Sequence, residues 1–109
     1  MPLLYDFNLD SVDDLAQRLA ANVKRRRLEK GLSRAALSMM SGVPVPTIAK
    51  FEQQHSISLK GFLALAKALG YTDALKLLLA EPIYSTMEEL DTINKNKNRK
   101  RGRNEFKNS

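Results

Sequence analysis

Residues 34–53, RAALSMMSGVPVPTIAKFEQ, limit what this chain can fold into more than any other stretch. Leu37 on one side, and Val43, Ile48 and Phe51 on the other, are apolar anchors at helical spacing, with Ser41-Gly42 between them. The spacing predicts two short helices, over 34–41 and about 45–53, pinched around a tight turn at Gly42-Val43. Gly42 supplies a backbone conformation that residues with a side chain adopt only at a cost. The small Ser38 lets the second helix cross closely over the first. Ser33 can cap the first helix. Pro46 falls in the opening turn of the second, where its missing N–H has no intrahelical partner to lose.

The flanks read as further helices. Ser11 with Asp14 three residues on has the form of a capping box, and it opens a long helix that ends at Gly31. Leu15, Leu19 and Val23 share one face of it, flanked by Ala16 and Ala20. In the second helix Leu37, Met40 and Ser41 are expected to face inward. Ser58 caps a fourth helix, 59–69, with Leu59, Phe62, Leu63, Ala66 and Leu69 at core spacing and Gly70 as its stop. A fifth, 72–80, is dense in leucine and ends before Pro82. Ile83-Tyr84 reads as a short extended piece and 86–92 as a polar helical turn. From Asn94 onward, NKNKNRKRGRNEFKNS has almost no apolar content and is expected to be disordered when free. No stretch alternates long enough for a strand. The fold class is therefore all-α, a five-helix domain over 11–81. A short extension, 1–10, precedes it. A dimerisation or partner-contact segment, 82–93, and a basic tail, 94–109, follow it.

Charge adds a direction. The net charge of +6 is the excess of the last fifteen residues, which hold seven Lys or Arg against Glu105. The rest of the chain balances, but unevenly. From Arg18 to Lys60 there are nine bases and two acids, whereas 1–17 has four acids and no base, and 61–94 has five acids and two bases. The basic block coincides with the paired helices, as a nucleic-acid face would require. The pairing fits a helix-turn-helix, which projects the start of its second helix toward a DNA major groove. With no cysteine and one histidine, His55, the chain offers neither a disulfide frame nor a metal site, and no cofactor is implied. No nucleophile–base or carboxylate constellation suggests an enzyme. No apolar run approaches a membrane span, and the N-terminus MPLLYDFNLD lacks the order of a signal peptide, so a cytoplasmic protein is expected.

GLSRAALSMMSGVPVPTIAKFE followed by SLKGFLALAKALG resembles the Cro/repressor-like (XRE-like) helix-turn-helix family, over about residues 19–80. With the Ile-Tyr segment and the basic tail added, the chain resembles the HipB antitoxin group within it. The resemblance implies a DNA-binding transcriptional regulator on the bacterial nucleoid, a homodimeric autorepressor at a palindromic operator. The HipB likeness adds a HipA-like kinase toxin as a second partner. A phage-type repressor without a toxin and a protein-bridging transcription cofactor are the alternative readings. The resemblance also pairs Arg27 with Glu52 as an ion pair between the first and third helices. One departure stands out: where such domains commonly carry Ser, Gln or Arg, this chain has Pro44, Val45 and Pro46.

The expected DNA contacts follow from that placement. Val45, Pro46, Thr47, Lys50 and Gln53 lie on the third helix. Thr47 can offer a hydroxyl or methyl group, Lys50 can reach guanine acceptors or a phosphate, and Val45 and Pro46 suit a thymine methyl. Arg34, Ser58 and Lys60 are expected at phosphates. The leucines of 75–79 are too many for one face of a short helix, so some must be exposed in a lone chain. Leu75, Leu78, Leu79, Ile83 and Tyr84 are accordingly expected at a dimer interface.

Overall fold

The computed structural model describes residues 10–102. Most of the N-terminal extension and the last part of the tail, including Arg103, Glu105 and Lys107, lie outside the described residues. Six helices run in order, with no strand among the described residues: α1 (Val12–Glu29), α2 (Arg34–Ser41), α3 (Val45–Gln54), α4 (Leu59–Ala68), α5 (Thr72–Leu77) and α6 (Met87–Asn96). The chain divides into two compact units, Met1–Lys76 and Leu77–Ser109.

In the first unit each helix start is written locally. The Ser11 hydroxyl accepts from the Asp14 N–H while the Asp14 carboxylate accepts from the Ser11 N–H, so the capping box closes in both directions. Ser33 and Ser58 accept from Ala36 N–H and Gly61 N–H, satisfying orphan donors of α2 and α4. Between α2 and α3, Gly42 sits at φ 78° and donates to the Ser38 carbonyl at 2.8 Å. Pro44 then caps α3 with no side-chain hydrogen bond, and its carbonyl receives the N–H groups of Thr47 and Ile48.

Helix α3 packs on α1 and α2, and α2 packs on α4. Ala20, Val23, Leu37, Val43, Ile48, Phe51, Leu65 and Leu69 form the core. Phe51 meets Phe62 edge to face, with ring centroids 6.0 Å apart. Five inward assignments, in three helices, are corrected here. Leu15 and Leu19 are 49 % and 46 % exposed, and the buried stripe of α1 is instead Ala20, Val23 and Arg27. At 100° per residue that stripe is turned by about 70° from the leucine face, because α1 must present Arg27 to α3. Met40 is also exposed. In α4, Leu59 and Leu63 are exposed while Leu65, absent from the expected core set, is fully buried.

The fifth helix stops at Leu77, short of the expected residue 80. Leu79 adopts φ 64°, a left-handed conformation no helix can continue through. No residue of α5 is buried, so little packing would support further turns.

In the second unit, α6 is longer than the expected turn and takes in Asn94–Asn96 of the segment read as disordered. Its start explains this. Thr86 caps it by accepting from the Glu89 N–H, and the Glu89 carboxylate accepts from Ser85. Glu88 and Glu89 stand in its first turn and Lys95 in its last, both signs favourable to the helix dipole.

Candidate nucleic-acid interface

One face of α3 is consumed by the core. Ile48 and Phe51 are buried, and Glu52 is turned the same way. The opposite face is open: Pro46, Lys50 and Gln53 are exposed at i, i+4 and i+7, with Val45 exposed at the helix start and Thr47 half-buried at the border. Gln54, which the sequence reading passed over, is exposed too. Its spacing from Lys50 is the signal that could have found it. In the first turn of α3 Pro46 has no N–H to donate and the N–H groups of Thr47 and Ile48 go to the Pro44 carbonyl, so Val45 holds the remaining helix-start donor.

An ionic cluster joins that apolar packing in holding the helix. The Arg27 guanidinium donates twice to the Glu52 carboxylate, from Nε to Oε2 at 2.7 Å and from Nη2 to Oε1 at 2.9 Å. Its Nη1 donates to the Leu32 carbonyl at 2.8 Å. The two side chains are 7 % and 1 % exposed, so this is a buried, bidentate pair, and each of the three guanidinium nitrogens makes a hydrogen bond. Arg34 joins from the start of α2, its Nε donating to Glu52 Oε1 at 3.1 Å, with Nη2 3.0 Å from the same oxygen. Sequence reasoning paired Arg27 with Glu52 but assigned Arg34 to a phosphate alone. Burial pushes the Glu52 carboxyl upward, but the hydrogen bonds and charges of Arg27 and Arg34 outweigh it and hold the group below its ordinary value. Two guanidiniums share one carboxylate, which leaves the cluster net positive. The Nη1 edge of Arg34, on a side chain 31 % exposed, is left over for an outside acceptor.

The loop after α3 begins at His55, φ 64°, whose N–H closes the helix on the Phe51 carbonyl at 2.8 Å. Ser58 and Lys60 are exposed at the start of α4. The Ser58 oxygen accepts the cap bond from Gly61, while its proton stays available to donate. Leu75 is half-buried, and Leu78, Leu79, Ile83 and Tyr84 are exposed. Among the described residues no group of three or more potential ligands could hold a metal, and no helix is long and apolar enough to cross a membrane.

Residues 23–75 match a protein-family model described as helix-turn-helix. This span takes in the last two turns of α1, all of α2, α3 and α4 and the start of α5, and the match supports a helix-turn-helix domain there, a place in the Cro/repressor-like family and a DNA-binding regulatory role. No curated protein and no solved structure is detectably similar to the chain.

Proposed function

We propose that this protein is a sequence-specific DNA-binding transcriptional regulator that works as a homodimer and represses its own promoter. The observation that carries the proposal is the outward stripe Pro46, Lys50 and Gln53 on a helix whose other side is locked by the Arg27–Glu52–Arg34 cluster. A rigid helix with a free, uncharged-to-cationic front is what a major groove accepts.

In this reading α3 enters the groove by its first turns. Lys50 addresses guanine acceptors, Thr47 uses its hydroxyl or methyl group, and Val45 with Pro46 makes apolar contact with thymine methyls. The free edge of Arg34, the Ser58 hydroxyl and Lys60 hold phosphates and set the register. The exposed leucines and Ile83-Tyr84 pair two copies, and the two-fold symmetry of the pair calls for a palindromic operator. The test is a footprint of the full chain on the DNA upstream of its own reading frame. Two protected half-sites about 34 Å apart, related by inversion, support the reading. A single patch, or protection that moves with any DNA offered, removes it.

The antitoxin role rests on the resemblance of the Ile-Tyr segment and basic tail to the HipB group. Co-elution with a kinase encoded beside this chain is the result that would support it.

A further inference from the structure

From Asn94 to Asn104 the chain is written in four residue types only: Asn, Lys, Arg and Gly. Within the described part, Lys95, Lys97, Arg99, Lys100 and Arg101 are all exposed, and none of them is in an ion pair. Lys95, Arg99, Lys100 and Arg101 line an open cup with Thr92, Asn96 and Gly102 at the end of α6. The one side-chain bond there from a cation, Arg99 Nε to the Arg101 carbonyl, is long at 3.4 Å and fully exposed, so it is readily given up.

A solubilising end needs charge, but it needs neither the asparagines nor the glycine. A segment that lies in the DNA minor groove has a use for all three features. Cations answer the negative potential, which is strongest where A·T tracts narrow the groove. Asparagine amides and arginines donate to the adenine N3 and thymine O2 acceptors on the groove floor. A residue without Cβ lets the backbone descend into a groove about 6 Å wide. Gly102 stands directly after Arg101, with Arg103 next in sequence. A Cβ added at Gly102 meets no atom within 4 Å. Among the described residues, no contact therefore requires this glycine.

We infer that the segment from Lys97 to Gly102, which follows α6, is a minor-groove binding element selective for A·T pairs. This rests on the DNA-binding reading above and adds to it a second groove and a base preference. Phosphate contact alone is the competing account, and it predicts no preference among base pairs.

The test uses the full chain and three duplexes of equal length: alternating A·T, alternating G·C, and inosine·cytosine. Inosine lacks the guanine N2 amino group, so inosine·cytosine presents an A·T-like minor groove beneath a G·C-like major groove. The expected result is that A·T and inosine·cytosine bind about tenfold more tightly than G·C at moderate salt. Gly102→Val and Arg101→Lys both preserve charge, and each is expected to remove that preference while leaving the G·C affinity unchanged. Equal affinity for all three duplexes overturns the proposal. So does a preference for A·T that inosine·cytosine does not share, since it would come from the major groove, and so does a preference that survives both variants. Failure to bind any duplex at low salt would instead remove the DNA-binding reading on which the inference stands.

Discussion

At the scale of single residues, Glu52 is the most heavily used side chain of the interface. It is buried, and three hydrogen bonds from two arginines end on its two oxygens. Replacing it leaves Arg27 buried without its counter-charge, which costs far more than an exposed pair would. We expect Glu52→Gln to destabilise the fold by about 3–5 kcal/mol in urea unfolding. A loss below about 1 kcal/mol would show that the pair contributes little net energy. Acid should act through the same group. Because the folded carboxyl lies below its ordinary value of 4.5, its contribution is complete above that pH and fades as pH falls through the folded value. Stability of the native chain should therefore drop on acidification below about pH 4.5, with a shallower fall for Glu52→Gln. Thr47 and Lys50 belong to a different test. If they touch base edges, Thr47→Ala and Lys50→Ala each weaken binding to the footprinted operator by about 1–3 kcal/mol, and weaken binding to random DNA less. Equal loss on both DNAs would assign them to the backbone.

At the scale of elements, the turn between α2 and α3 sets the direction in which α3 emerges, and Gly42 sets the turn. At φ 78° it is left-handed, yet an added Cβ meets nothing within 4 Å. Gly42→Ala should therefore cost only the backbone penalty, about 1–2 kcal/mol in thermal or urea unfolding, with no steric addition. A neutral result would mean that the turn relaxes to another conformation without loss. This turn was legible in the sequence because glycine, small residue and apolar anchors each have a local reason for their place. The helix starts at Ser11, Ser33 and Ser58 were legible for the same reason: a cap is a contact within four residues. The buried face of α1 was not. Leu15 and Leu19 outweigh Ala20 in hydrophobicity, but which side of α1 is covered depends on where α3 lies, and α3 takes Arg27 as its partner. In α4, apolar residues surround much of the helix, so periodicity could not single out Leu65 over Leu63. The second role of Glu52 as acceptor for Arg34 needed the start of α2 and the last turn of α3 brought together in three dimensions, and no spacing along the chain announces it.

At the scale of the whole molecule, the basic blocks and the one unbroken run of exposed leucines occupy different parts of the chain. The bases gather from α1 to the start of α4 and again from the end of α6, while Leu77, Leu78 and Leu79 stand together between them; the other exposed leucines, such as Leu15 and Leu59, are scattered. A protein with this distribution can bind DNA and still self-associate, because the surface proposed to pair two copies carries little of the positive charge that would repel them. Leu78 offers the cleanest test of that pairing. It is 67 % exposed, so Leu78→Asp removes little buried area and adds no buried charge within one chain, and the variant should fold as the parent does. Two copies brought together at this residue would, in contrast, bury two carboxylates in an apolar contact, which is strongly unfavourable. We expect the parent chain to sediment as a dimer and Leu78→Asp as a monomer with unchanged helix content. Operator affinity should then fall about a hundredfold or more, because each half-site must be bound without the effective concentration that the second subunit supplies. Affinity for a single half-site should stay the same, since α3 and the Arg27–Glu52–Arg34 cluster lie elsewhere in the sequence. A variant that remains dimeric moves the interface away from Leu78, and a parent chain that is monomeric at all concentrations removes the dimeric repressor reading.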